Sequence, residues 1–215
     1  MRARFLLILA GLLVVLPADD GAAVPAARVM RYHVSHAIYG DIGTYINTVE
    51  QVGDTTTVLT DAHFEVSLLG NVVHREDAQR QERWRGDRLV FFQGVTTKNG
   101  RPLELHGEAR GDSFVIVSPT GTAAAPADIH PANPWSANFL GSGTMMRVDT
   151  GAIEPVRITG GAETNVTIEG ATLRTRRYEI NGKTHYKVWL SEAQQVPVKF
   201  SVDDDSGEVT FTLTR

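Results

Sequence analysis

A chain of 215 residues, 42% hydrophobic and 21% charged, with a formal net charge of −4, has the length and apolar content of one ordinary globular domain. Its charge gives no overall attraction to nucleic acid or anionic lipid. It contains no cysteine, which excludes disulfides, a lipid-modified cysteine, a thiolate nucleophile and any Cys-based metal or haem site.

The N-terminus places Arg2 and Arg4 before an uncharged run from Phe5 to Leu16, followed by Pro17, two aspartates and small residues. That is the order of basic, apolar and cleavage regions in a secretory signal. The apolar run is too short to span a bilayer, which takes roughly 20 residues. Residues 1–23 are read as a signal peptide, with cleavage after Ala18, Ala23 or Ala26, and the protein as periplasmic or secreted with no transmembrane anchor after cleavage. A chain of about 190 residues then remains, enough to bury roughly two-thirds of its unfolded surface without disulfide staples.

From residue 28 onward, turn dipeptides recur at short intervals: Gly40-Asp41, Gly53-Asp54, Gly70-Asn71, Gly86-Asp87, Asn99-Gly100, Gly111-Asp112, Gly160-Gly161, Asn181-Gly182 and Ser206-Gly207. Such pairs supply the positive φ that tight hairpins require. Between them lie segments rich in Val, Thr, Ile, Phe and Tyr, which suit a pleated surface. Val58, Thr60, Ala62, Phe64, Val66 and Leu68 alternate with polar residues and predict a strand with one core face. The runs Leu89 to Val95, broken only at Gln93 and Gly94, and Phe114 to Val117 are apolar and predict strands covered on both faces. Val196 to Val202 and Val209 to Leu213 alternate and predict a final hairpin turning through Asp203 to Gly207.

Residues 119–143 carry Pro119, Pro126, Pro131 and Pro134, too many prolines for a strand interior. They are read as a long crossing loop with one short helical turn from Pro134 to Leu140, dividing the sheet into about seven and about six strands. Residues 28–215 thus predict a single all-β domain, a strongly curved antiparallel sheet or open barrel whose helical lid, carrying Trp135, Phe139 and Leu140, closes one end.

None of the seven histidines has a paired helical spacing, so no metal site is expected. Gly141-Ser142-Gly143 lacks the spacing of a nucleophile elbow, and no pair of carboxylates stands out; no catalytic residue and no cofactor are assigned. The most charged segment, Arg75 to Arg88, mixes five arginines with Glu76, Asp77 and Glu82. It is read as a ladder of ion pairs on an exposed face, with a phosphate or lipid head-group site formed by the arginines as the alternative. Trp84, Trp135 and Trp189, each beside a turn or loop, close the core or, with Phe139 and Tyr186, line a ligand cleft.

Tyr32-His-Val-Ser, Gly40-Asp-Ile-Gly43, Trp84-Arg-Gly-Asp-Arg-Leu89, Thr96-Thr-Lys-Asn-Gly100, Asn133-Pro-Trp-Ser136, Val188-Trp-Leu-Ser191 and Pro197-Val-Lys-Phe200 together resemble a bacterial family of exported proteins, domain of unknown function 6134. The family pattern has Trp-Tyr-Asp where this chain has Trp-Leu-Ser. The resemblance implies an exported antiparallel β-protein and carries no catalytic residues. The functional expectation is a monomeric, non-catalytic envelope protein that holds a lipid or other amphiphile in a concave apolar face. The alternatives are an envelope enzyme using a His–carboxylate site, or an interaction module. Mass analysis of periplasmic protein should find an N-terminus between Asp19 and Ala27; retention of Met1 would refute the export reading.

Overall fold

The computed structural model describes residues 27–204 and 206–214; the expected signal segment and its cleavage window lie outside the described residues. Eight strands follow one another as hairpins: β1 (Arg28–His36), β2 (Gly40–Val52), β3 (Thr55–Leu68), β4 (Asn71–Arg85), β5 (Arg88–Lys98), β6 (Arg101–Arg110), β7 (Ser113–Ser118) and β8 (Gly121–Pro126). The connection that follows holds β9 (His130–Pro131), a 3-10 turn at Ala137–Gly141, β10 (Thr144–Met146) and β11 (Ile153–Pro155). Five more strands complete the chain: β12 (Arg157–Ile168), β13 (Ala171–Asn181), β14 (His185–Ser191), β15 (Pro197–Asp204) and β16 (Gly207–Leu213).

Thirteen of these strands form one antiparallel sheet in the order β12-β13-β14-β15-β16-β1-β2-β3-β4-β5-β6-β7-β8, and β11-β10-β9 form a small separate one. The large sheet is not closed: β12 and β8 are its edges. Register shifts in the pairs β1/β2, β3/β4, β4/β5, β12/β13 and β14/β15 insert single unpaired residues. Bulges of this kind bend strands and increase their twist. At the first of them Gly43 has φ +142, and a Cβ there would lie 2.0 Å from the His63 carbonyl oxygen, so only glycine permits the close approach of β2 to β3.

The connection between β8 and β12 carries the short helical turn expected as a lid, and it is packed down into the concavity. Ile129, Trp135, Phe139, Met145 and Met146 are buried together with Tyr45, Val58 and Trp84 of the sheet's inner face. Phe139 also packs edge-on against Tyr178 of β13, with ring centroids 6.5 Å apart. The segment is therefore a plug that fills part of the concavity and touches both halves of the sheet. Its proline content fits this role, since a plug needs apolar side chains but no ladder hydrogen bonds.

Three sequence expectations are corrected. Residues 121–126 pair with β7 as a strand, so the crossing segment begins only after Pro126 and runs on to β12 at Arg157, and the sheet divides into eight and five strands. Gly160 and Gly161, with φ +103 and +93, form a bulge inside β12 and not a turn. The hairpin turns instead at Glu169 and Gly170, with φ +48 and +81. The strand Leu89–Val95 is covered on one face only: Leu89 and Phe92 are buried, whereas Val95 is exposed and Phe91 lies under the Arg83 guanidinium, 4.2 Å from its ring centroid.

Because Trp135 is buried between plug and sheet, Trp135→Ala should lower the unfolding free energy by about 3–5 kcal/mol, against a smaller loss for Val209→Ala, which is only partly buried. Urea midpoints of the two variants check this; equal midpoints for Trp135→Ala and the parent would mean that the plug is not packed.

Candidate functional site

The concavity not filled by the plug is a cavity of about 860 Å³. One wall is aromatic: Tyr45, Phe64, Phe200 and Phe211 line it, with Phe200 and Phe211 stacked 4.3 Å apart. These side chains come from β2, β3, β15 and β16, which the sheet order makes neighbours across β1. Tyr186 of β14 and Val148 of the plug also face the space. At the mouth stand Tyr39 and Val73, 41% and 51% exposed. Such a volume, with apolar walls and a few converging polar groups, is typical of a small-molecule site. A second recess of about 700 Å³ lies between β7, β8 and the plug, and shares Arg147 and Lys183 with the first.

Another part of the lining is charged. Arg147 donates to both Asp149 oxygens, at 3.2 and 3.1 Å. Lys98 reaches Asp149 at 2.9 Å and Glu76 at 3.5 Å. Burial alone would raise the Asp149 carboxyl, but the hydrogen bonds and charges of Arg147 and Lys98 prevail and hold it well below the ordinary carboxylate range. These four groups are two cations matched by two anions. Burial works against the charge of Lys98, yet its two carboxylate partners raise its pKa.

Beneath the cavity a buried polar cluster fastens the plug. Glu82 of β4 has no exposed surface. Its Oε1 accepts from Asn133 Nδ2 at 2.7 Å, and its Oε2 from the indole N–H groups of Trp84 at 2.9 Å and Trp135 at 3.2 Å. The Asn133 amide oxygen in turn accepts from the Tyr45 hydroxyl at 2.8 Å and from Asn47 at 3.0 Å. Burial pushes the Glu82 carboxyl up to about 7, outweighing the three donors and the charge of Arg80 that favour the ionised form. Burial likewise pushes the Tyr45 phenol up to about 12.

Arg80, two residues before Glu82, is 7% exposed and lines the cavity. It and Glu82 correct the expectation of an exposed ion-pair ladder: even-numbered residues of β4 from Ala78 to Trp84 point inward. Only the odd-numbered arginines behave as expected on the outer face, as in Arg75 with Asp77 at 3.0 Å and Arg85 with Asp54 at 3.7 Å.

Of the five residues read as cleft-lining, Tyr186 faces the large cavity. Trp84, Trp135 and Phe139 are packed into the core around the plug. Trp189, between the buried Val188 and Leu190, lies on the outer face under Arg177 and Lys199. The histidines are dispersed. His36 and His74 line the mouth, whereas His63 pairs with Asp77 at 2.6 Å on the outer face of β3 and β4. No group of three or more His, Asp or Glu residues arranged to hold a metal occurs among the described residues, and among them no helix is long and apolar enough to cross a membrane.

A carboxyl raised from about 4.5 to about 7 on folding binds protons more tightly in the folded state. Its favourable contribution is complete at acid pH and is lost as pH rises through about 7. His130, whose pKa burial lowers, acts in the opposite sense, so the comparison to make is with Glu82→Gln. Between about pH 5 and about pH 8 the wild type should lose about 2 to 3 kcal/mol relative to that variant. Urea unfolding of both proteins across this range measures it, and parallel curves would refute a buried, titrating Glu82.

No curated protein matches this chain. A crystal structure of a β-barrel-like protein of domain of unknown function DUF1849 from Brucella abortus is similar, with a TM-score of 0.63 at 9% identity, covering 89% of this chain and 96% of that one. At that identity the likeness is one of fold alone. The sequence model described as Domain of unknown function (DUF6134) matches residues 40–214, a span running from β2 to the end of β16 and including the plug, the Glu82 cluster and both walls of the cavity; the chain belongs to this family.

Proposed function

We propose that the protein is an exported, non-catalytic binder of an amphiphilic molecule such as a lipid, taken up in the 860 Å³ cavity between sheet and plug. The observation that carries this reading is the division of that cavity into an aromatic wall and a charged wall, which suits a molecule with an apolar and a polar part. The rim supports it. The hairpin tips beside the mouth expose Ile38 at 69%, Val72 at 55% and Leu69 at 101%, and Leu69 holds φ +51, a conformation unfavourable for a leucine. An alkyl chain would meet apolar side chains from the rim to the wall. Export is supported by the basic, apolar and small-residue order of the N-terminal segment.

Native mass spectrometry of the protein purified from the periplasm should reveal a bound amphiphile. Added fatty acid at about a hundredfold over its dissociation constant should stabilise the fold by about 2.7 kcal/mol, which for a domain of this size is a rise in melting temperature of roughly 5–10 °C. An apo mass together with an unchanged melting temperature would overturn the reading.

A further inference from the structure

We propose that the cavity selects an amphiphile with an anionic head group, a carboxylate or a phosphate, and that Arg80 is the cation that receives it. The inference rests on the amphiphile reading and adds the chemistry of the head.

Arg80 is a buried cation whose hydrogen-bond partners are neutral. Its stem lies over Gly94 of β5, where a Cβ would come within 3.1 Å of the Arg80 Cγ, so the missing side chain is what lets the arginine fold inward. Its Nη2 donates to Thr96 Oγ1 at 3.2 Å, and the guanidinium also reaches the Tyr45 hydroxyl. Neither partner carries charge, and Nε has no hydrogen-bond partner. Among the described residues Arg80 makes no ion pair within 4.0 Å. Glu82 feels its charge, but both Glu82 oxygens are taken up by Asn133 and the two indoles. Withdrawing a guanidinium from water costs several kcal/mol unless an anion and good hydrogen bonds compensate.

The other charges around the space do not supply that anion. Glu76 and Asp149 are held by Lys98 and Arg147. Asp203 is held by His185 at 2.8 Å and Lys187 at 3.5 Å. Lys183, which also lines the cavity, adds a further positive charge, and His36 and His74 add two titratable rings at the mouth. The balance of the lining charges is therefore positive, with Arg80 beside Tyr45. A guanidinium offers the flat fork of donors that carboxylate and phosphate oxygens accept in pairs, while Phe64, Phe200 and Phe211 remain for the tail. The neighbouring arginines of β4 are not available for this: Arg75 and Arg85 are paired outside, and Arg83 covers Phe91.

The test is a calorimetric titration of the exported protein with four probes of one chain length, each below its micellar concentration: dodecanoate, dodecyl phosphate, 1-dodecanol and dodecyltrimethylammonium. The two anions should bind about tenfold or more tightly than dodecanol, as expected for a charge-assisted hydrogen bond, and the cationic probe more weakly still. Dodecanoate leading points to a free fatty acid, and dodecyl phosphate leading points to a phosphate-headed lipid; either supports the assignment. In Arg80→Gln the ratio of anion to alcohol affinity should fall toward one. The ranking on the unaltered protein tests the proposal even if that variant does not fold. Dodecanol binding as tightly as the anions would overturn the head-group assignment and leave the amphiphile reading standing. Failure of all four probes to bind would overturn the amphiphile reading itself.

Discussion

Everything inside the curled sheet depends on how one fully buried carboxylate is satisfied. Glu82 accepts from Asn133 and Trp135 of the plug and from Trp84 of its own strand, so a single side chain joins a segment with little regular structure to the middle of β4. A carboxylate is suited to this because it only accepts, and all three neighbours only donate to it. The indoles could otherwise be buried only with their N–H groups unmatched. The cost is a carboxyl group removed from water, which shows in the upward displacement of its pKa.

That fastening divides the interior into two parts with different chemistry. Below it, Trp84, Leu89, Phe92 and Phe114 form a dry core with essentially no exposure. Above it, the plug stops short of β15, β16 and the start of β2, leaving the space lined by Tyr45, Phe200 and Phe211. Tyr45 belongs to both parts: its hydroxyl holds Asn133 while its ring packs edge-on against Phe211 at 5.3 Å. A change in the cavity wall at Tyr45 would therefore be felt in the plug anchor as well.

The curved antiparallel sheet was legible because alternation is a local property. Val58, Thr60, Ala62 and Val66 of β3 are buried in phase, as their spacing predicts, and the last hairpin forms where Val209 and Phe211 alternate with threonines. The anchor was obscured by residue type. Arg80 and Glu82 share the parity of Ala78 and Trp84, but charged side chains in a charge-rich segment are ordinarily assigned to solvent. Parity counted from Trp84 was the available signal. A concave apolar face was expected, but most of the residues lining the cavity were not legible, since its walls come from β1 to β5, β14 to β16 and the plug, brought together only by the sheet order. Gly160-Gly161 misled because a pair of glycines serves a bulge as well as a turn.

Read from edge to edge, the large sheet is a meander in which every neighbour follows in sequence, with the pair β16 and β1 as the single exception. Those two strands meet mid-sheet, and Thr214 donates its backbone N–H to the Arg31 carbonyl at 2.8 Å. Their pairing joins the most distant parts of the described chain, and so carries the largest loop-closure entropy of any ladder in the fold. Nucleation within β1–β8 or within β12–β16 needs only local hairpins, whereas uniting the two halves waits on this one long-range seam. A circular permutant with β16 linked to β1 and the chain reopened between β8 and β12 would turn the seam into another hairpin. It would make the sheet a purely local ladder, at the expense of cutting the segment that fills it.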